Sequence, residues 1–227
     1  MKGMTEFIKA YGSTLPKDQQ GSDQPIPLRM PIAISRQIGS GGRLVAARLA
    51  ERLGLELVSK SIIEEISHRT KVPTDLLDLL DEKPGRALEL FGAGLLRGAS
   101  ITESDYNRVL KATVATFLEL GNAIILGRGS IFVALPGRAL RLLIVAPLEN
   151  RIEAMTRYED LTPQKARARV LEIDSERRQF NKRHFGHEEA SAEHYDLVVN
   201  TAMFSVDEAA EISICAYQKM VEANRFS

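Results

Sequence analysis

A glycine-rich segment with an arginine near each end has the composition of a phosphate-binding loop. It reads Ser35-Arg-Gln-Ile-Gly-Ser-Gly-Gly-Arg43, and it ends the apolar stretch 31–35 and precedes apolar residues at helical spacing. Glycines let backbone N–H groups approach an anion, and the N-terminus of the next helix adds partial positive charge. A tight turn that binds nothing would contain the same glycines and is the alternative. The order of strand, glycine loop and helix favours a cradle for donor phosphates at Gly39, Ser40, Gly41, Gly42 and Arg43.

The loop departs from the usual phosphate-binding pattern at the position of its cation. That pattern is G-x-x-x-x-G-K-[ST], in which the lysine reaches the outer phosphates. If Gly41 is the last glycine of the pattern, Gly42 stands where the lysine is expected, and Arg36 stands at the first glycine. Arg43 is the nearest cation. We therefore expect Arg43 to bind the donor phosphates and to act in catalysis.

A basic segment at 165–183 is the second candidate for phosphate chemistry. It holds seven Lys and Arg residues against three acids, whereas the whole chain has 30 of each charge. Arginine is a planar fork that binds phosphate oxygens in pairs. A solvated helix with internal ion pairs, such as Asp174 with Arg178, is the alternative. Zero net charge and the lack of interleaved aromatic residues argue against a nucleic-acid partner.

Short apolar stretches alternate with helical patterns along most of the chain. Because such strands are buried on both faces, the pattern predicts an α/β fold, a doubly wound three-layer parallel sheet of four or five strands flanked by helices. Ligands of such sheets bind outside the carboxyl ends of the strands. The strands are expected at 31–35, 55–58, 123–126, 141–146 and 196–200, and the helices at 44–53, 60–70, 74–82, 103–120, 147–158, 162–184 and 206–223.

Composition and segment boundaries set the remaining expectations. Hydrophobic residues make up 44% and charged residues 26% of the 227 residues, which is typical of a globular protein. Residues 1–30 are rich in polar residues, glycine and proline and are expected to be an arm or linker, so that 31–227 forms one domain.

Cys215 is the only cysteine, which excludes an intrachain disulfide; we expect it to be buried. The absence of a long apolar run argues against a membrane partner and favours the cytoplasm. His184, His187 and His194 are expected in a polar loop, without a metal.

Five sequence blocks, in this order, resemble the cytidylate kinase-like family, relatives of bacterial cytidylate kinase. The resemblance implies a P-loop nucleoside monophosphate kinase fold, with an acceptor-side helical insert at 83–102 and a lid at 160–190. It implies transfer of a phosphoryl group from ATP, with Mg²⁺ carried by the nucleotide, to a nucleoside monophosphate such as cytidylate or to another small acceptor. The blocks are Ala-Ile-Ser-Arg-Gln-Ile-Gly-Ser-Gly-Gly-Arg at 33–43, Ile-Leu-Gly-Arg-Gly-Ser at 125–130, Ala-Pro-Leu-Glu-Asn-Arg at 146–151, Asp-Ser-Glu-Arg-Arg at 174–178 and Tyr-Asp-Leu-Val-Val-Asn-Thr at 195–201.

The same resemblance implies roles for individual residues. Arg128 matches the arginine of a Gly-Arg-Asp motif that serves the acceptor and the reaction, although Gly129 stands in place of the aspartate. Arg108 matches an acceptor-phosphate arginine. The lid and its flanks would supply donor-binding arginines at Arg151 and Arg157 and catalytic residues at Asp174, Arg177 and Arg178, with Asp174 orienting one arginine. Because the loop lacks its lysine, a nucleotide-binding or sensory module without turnover is the alternative function, and the oligomeric state stays open.

Overall fold

Five short strands form one parallel sheet. They are β1 (Ile32–Arg36), β2 (Glu56–Val58), β3 (Ala123–Leu126), β4 (Leu140–Val145) and β5 (Leu197–Asn200). Their order across the sheet is β2-β3-β1-β4-β5, and every neighbouring pair is parallel. The structure is a computed structural model that describes residues 29–58, 103–187 and 191–224. The predicted parallel sheet is confirmed, and β1 lies at its centre, between β3 and β4.

Six helices are connected to this sheet in the described part of the chain. Five of the predicted helices follow their expected bounds within about two residues, whereas the one-turn helix α3 and a 3₁₀ turn at Ala192–His194 were not predicted. The arm at 1–28, the helices expected at 60–70 and 74–82, and the insert at 83–102 lie outside the described residues. The helices are α1 (Gly42–Leu53), α2 (Glu103–Leu120), α3 (Ser130–Val133), α4 (Leu148–Glu159), α5 (Pro163–Phe185) and α6 (Val206–Asn224).

Local signals explain where the longer helices begin and end. Gly54 ends α1 in the left-handed region at φ 60°. Thr162 precedes α5 and accepts a hydrogen bond from the amide of Lys165, and Pro163 occupies the first turn, where its missing N–H costs nothing. Gly186 ends α5 at φ 81°. The long basic helix that crosses the site is therefore bounded at both ends by its own sequence.

Alternate residues of the strands feed two apolar layers, one on each face of the sheet. Ile32 and Ile34 of β1 pack in the layer with α1 and α6, whereas Ala33 faces the side of α3. The α2 layer includes Tyr106, Leu110, Val114 and Phe117, and it also takes in Phe180 from α5. The three-layer prediction is confirmed, since helices cover both faces. None of the helices in the described part of the chain is long and apolar enough to span a bilayer.

The expectation of a buried Cys215 is wrong. Its residue is exposed, whereas Ser213 and Tyr217, two residues away on either side, are buried. On a helix, residues two positions apart point about 200° apart around the axis. The face of α6 that carries Ser213 and Tyr217 toward the sheet therefore turns Cys215 to the solvent.

The carboxyl end of β5 ties down the loop that follows β1. The hydroxyl of Thr201 lies 2.8 Å from the carbonyl oxygen of Ser40 and 3.2 Å from that of Val145. The amide of Thr201 donates to the same Val145 carbonyl at 2.9 Å. One side chain thus joins the ends of β4 and β5 to the glycine loop.

We expect Thr201→Val to lower the free energy of unfolding by about 1 kcal/mol, because valine cannot donate to either carbonyl. Thr113→Val is the matched control. The Thr113 hydroxyl is fully buried and has no hydrogen-bond partner within the described residues, so removing it should be neutral or slightly stabilising. Urea unfolding of the wild type and the two variants measures both changes. Equal losses in the two variants would show that the Thr201 hydroxyl does not hold the loop.

Candidate functional site

The glycine loop between β1 and α1 places backbone amides at the carboxyl edge of the sheet. Gly39 and Gly41 have φ values of 76° and 73°, in the left-handed region that favours glycine. A Cβ atom at Gly39 would lie 2.7 Å from the carbonyl oxygen of Arg151, so the loop runs against the backbone of α4. The first amides of α1 have no acceptor on their own helix. The loop therefore has the backbone geometry of an anion cradle.

Ser40 contributes only its main chain to this cradle. The residue is buried, and its hydroxyl lies 2.8 Å from the carbonyl oxygen of Gln37 and 3.2 Å from that of Ile144. The Gln37 side chain in turn accepts a hydrogen bond from the amide of Ala146 at 3.1 Å. These contacts fix the loop to the end of β4, and they commit the Ser40 hydroxyl to the fold.

The position of the missing lysine is filled by another side chain. A Cβ atom at Gly42 would lie 2.5 Å from the Cβ and 3.1 Å from the Cγ of Arg36. Real Cβ atoms do not approach so closely, and Ile144 closes the other side at 3.3 Å. With Arg36 in place, no residue larger than glycine fits at position 42.

The guanidinium of Arg36 lies between the carboxyl ends of β1 and β3. A Cβ atom at Gly127, which has φ 81°, would lie 2.5 Å from its Nη1 atom. Desolvation and, after it, the positive charges of Arg177, Arg128 and Arg43 together lower the pKa of Arg36 to about 9. Four arginines thus converge on this end of the central strand.

The sequence pattern predicts no role for Arg36 beyond its place at the first glycine position, whereas the structure puts its side chain in the centre of the site. The signal that could have found it is an arginine directly at the end of a buried strand, where an ion is expensive unless it has a partner.

Arg177 of α5 reaches the loop from the opposite side. Its Nη1 donates to the carbonyl oxygen of Arg36 at 2.8 Å. Burial lowers the pKa of Arg177, Asp174 and Glu176 oppose this shift, and the positive charge of Arg151 adds to it. One of the predicted lid arginines is therefore brought to the cluster.

A buried ion pair joins α4, the loop and α5. Arg151 Nη1 donates to Asp174 Oδ2 at 2.5 Å, and only 8% and 14% of the two side chains are exposed. The same nitrogen lies 3.5 Å from the carbonyl oxygen of Ile38 in the loop. Arg151 Nε is buried without a hydrogen-bond partner in the described part of the chain. The arginine that Asp174 orients is thus Arg151.

The turn after β3 has three successive residues in the left-handed region. Gly127, Arg128 and Gly129 have φ values of 81°, 57° and 63°. The left-handed conformation is unfavourable for Arg128, because it is not a glycine. In this conformation the charge of Arg128 is close enough to Arg36 to lower its pKa. A Cβ atom at Gly129 would lie 2.0 Å from the ring of Phe185. The aromatic ring at the end of α5 therefore occupies the space that an aspartate in the Gly-Arg-Asp pattern would need.

The remaining predicted arginines lie on exposed helix surfaces. Arg43 is exposed on the first turn of α1, and Arg108 and Arg178 are exposed on α2 and α5. Arg157 forms an ion pair with Glu153 on its own helix, and about two thirds of each side chain is exposed. The structure brings Arg43 close enough to affect the pKa of Arg36, but it does not bring Arg157 to the cluster.

The positive charge of the basic segment is partly balanced by acids around it. Arg167 forms an ion pair with Glu149 of α4, and Arg169 pairs with Glu172 on α5. Asp174, expected to pair with Arg178 on its own helix, forms its ion pair with Arg151 of α4. These contacts agree with the interpretation of a helix that carries ion pairs. Its outer face carries surface ion pairs, whereas Arg177 faces the loop.

His184 does not lie in a polar loop, so that expectation is wrong. The residue is buried at the end of α5, where its Nδ1 atom is hydrogen-bonded to Oδ1 of Asn107. Its ring packs against Phe180 and Tyr106 with centroid separations of 4.5 and 5.6 Å. Among the described residues, no group of three or more His, Cys, Asp or Glu side chains is arranged to hold a metal ion.

We expect Gly129→Asp to lower the free energy of unfolding by roughly 1–3 kcal/mol, because the new side chain meets the ring of Phe185. Gly186→Asp is the control, since Gly186 has a similar φ of 81° and nothing lies within 4 Å of its added Cβ. Thermal unfolding should also show that Phe185→Ala reduces the effect of Gly129→Asp. Identical shifts at the two glycines would mean that backbone conformation alone, without the ring, is responsible.

Comparison with known proteins identifies the family. The cytidylate kinase-like family matches residues 31–203. A cytidylate kinase of Ignicoccus hospitalis is 25% identical over 181 residues, which is 79% of this chain and 94% of the relative. A cytidylate kinase of Methanopyrus kandleri is 29% identical over 201 residues, or 84% and 94%. The crystal structure of an uncharacterized protein from Eubacterium ventriosum has the same fold, with a TM-score of 0.63, 22% identity and coverage of 84% of this chain and 99% of the other. The chain belongs to the cytidylate kinase-like family.

Proposed function

We propose that the protein transfers the γ-phosphoryl group of ATP to a small phosphate-bearing acceptor, with a nucleoside monophosphate such as cytidylate as the first candidate. The observation that carries the proposal is the convergence of arginines on a glycine cradle at the end of the central strand. Arg36, Arg128 and Arg177 all lie at this point. Membership of a kinase-like family supports the same reaction.

The donor phosphates fit the backbone of the glycine loop. Gly39 and Gly41 keep side chains away from the loop, and the first amides of α1 are left for an anion. Arg151 lies beside the loop, held by Asp174. Magnesium would bridge the donor phosphates and neutralise part of their charge. The carboxylate of Asp174 is engaged by Arg151, and a magnesium ion would arrive bound to the donor phosphates.

The acceptor is expected on the β3 side of the cradle. Arg128 lies in the turn that follows β3, and its positive charge acts on Arg36. Transfer of a phosphoryl group needs two phosphates held in line and their charge neutralised, with little covalent help from the protein. Arginines on α5, β1 and the turn after β3 can supply that charge from three directions.

The aromatic ring next to Gly129 bears on the choice of acceptor. An aspartate here would offer a carboxylate for hydrogen bonds to a base, whereas Phe185 offers an apolar ring. The ring stacks on Phe132 with centroids 5.3 Å apart. We infer that the acceptor is selected through its phosphate more than through hydrogen bonds to a base at this position.

A nucleotide-binding module without turnover is the second candidate function. The observation in its favour is Gly42, which removes the lysine that contacts the outer phosphates in the usual loop. The two functions differ in one measurable respect. Both require ATP binding, but only the kinase forms ADP in an acceptor-dependent reaction.

A screen of nucleoside monophosphates with ATP and Mg²⁺ should reveal acceptor-dependent formation of ADP. Arg128→Ala should lower kcat/KM for the acceptor by about 10²–10³, corresponding to ~2.7–4 kcal/mol, because its charge matters most in the transition state. ATP binding by this variant should stay close to that of the wild type. Arg138→Ala, an exposed arginine in the turn before β4, is the control and should keep full activity. ATP binding without ADP formation for every acceptor would favour the module without turnover.

A further inference from the structure

We propose that Arg36 replaces the missing loop lysine and that its half-buried guanidinium binds a phosphate group of the substrates. The inference rests on the proposed function, because it assumes phosphate ligands at this site. It assigns the cation of the loop to its first position and not to Arg43, the nearest cation in sequence.

The packing of Arg36 and Gly42 makes the two positions mutually dependent. The Arg36 stem passes where a Cβ at position 42 would lie, at 2.5 Å from its own Cβ. A lysine at position 42 and an arginine at position 36 therefore cannot share this loop. Glycine at 42 is what allows the cation to enter from the end of β1.

The guanidinium lies where a substrate phosphate can reach it. It rests against Gly127, at the boundary between the donor loop and the acceptor turn. The carbonyl of Arg36 is held by Arg177 at 2.8 Å, which fixes the backbone from which the side chain starts. This position is at the reversal of strand order beside β1, where ligands of doubly wound sheets bind.

Among the described residues, the charges that act on the pKa of Arg36 are all positive. Its electrostatic neighbours are Arg177, Arg128 and Arg43, and no acidic side chain within the described residues forms an ion pair with it. The nearby carboxylate of Asp174 is held by Arg151. Burial and these like charges lower the pKa of Arg36. A partly buried positive cluster of this kind is stabilised by an anion with several oxygens, and a phosphate group matches it.

The phosphate can come from the donor or from the acceptor, and binding measurements separate the two. Calorimetric titration of ATP and, separately, of cytidine monophosphate is made with the wild type, Arg36→Met and Arg43→Met. Methionine keeps the apolar stem against Gly42 and removes the charge. Arg36→Met should weaken one or both ligands by at least about tenfold, and the affected ligand identifies the source. Arg43→Met should weaken binding of these ligands less than Arg36→Met does, and Arg138→Met should leave both affinities unchanged.

Thermal unfolding without ligand gives an independent readout. Arg36→Met should unfold at a higher temperature than the wild type, because the variant removes a half-buried charge that lies among like charges. A residue that merely holds the loop together would lower the unfolding temperature when truncated. A folded Arg36→Met that binds both ligands as the wild type does would overturn the proposal.

Substitutions at positions 36 and 42 test whether the two side chains exclude each other. Gly42→Lys alone should lower the unfolding temperature, because its Cβ meets Arg36. The double variant Arg36→Gly/Gly42→Lys restores the usual pattern and should recover both stability and ATP binding. No recovery of either property in the double variant would contradict the steric link. If the wild type binds ATP but never forms ADP with any acceptor, the kinase proposal is refuted. Loss of ATP binding in Arg36→Met would still support the phosphate site in that case. A wild type that binds neither ligand would overturn both.

Discussion

The contact between the stem of Arg36 and the backbone of Gly42 is the constraint around which the site is built. This contact requires a glycine at position 42, at the start of α1, and the Arg36 guanidinium extends from it to Gly127. Gly127 must in turn lack a Cβ, and the carbonyl of Arg36 becomes the acceptor for Arg177. The glycine loop, the turn after β3 and the basic helix thus all contact one residue, the first two through its side chain and the helix through its carbonyl.

The buried pair of Arg151 and Asp174 gives the basic helix a second attachment. A buried pair is weak evidence for added stability, but removing one partner leaves an uncompensated charge and typically costs about 3–5 kcal/mol. This pair links α5 to α4 and lies next to the loop carbonyl of Ile38. Movement of α5 away from the loop would separate two hydrogen-bonded contacts, one at Asp174 and one at Arg177. The position of α5 and the geometry of the loop are therefore coupled through Arg151 and Arg177.

Most of the fold could be predicted from local patterns, whereas the centre of the site could not. Apolar runs, Gly54 and the Thr162-Pro163 pair gave the strands and the bounds of long helices. The one-turn helix at 130–133 is too short to show a helical period. The importance of Arg36 depends on the direction of its side chain, and the fit of Phe185 against Gly129 joins residues far apart in sequence. The exposure of Cys215 could not be predicted for the same reason, because the elements that pack against α6 decide which face of this helix is buried.

The packing of positions 36 and 42 also constrains how such a loop can evolve. Changing Arg36 to glycine first removes the charge before a lysine is available, and introducing the lysine first forces it into the space of the arginine stem. Both single-step intermediates are impaired, so the two kinds of loop are separated by a fitness valley. A lineage can cross it when the two changes arise together or when excess stability tolerates a damaged intermediate. Once established, either arrangement is expected to persist even while residues that contact the acceptor diverge.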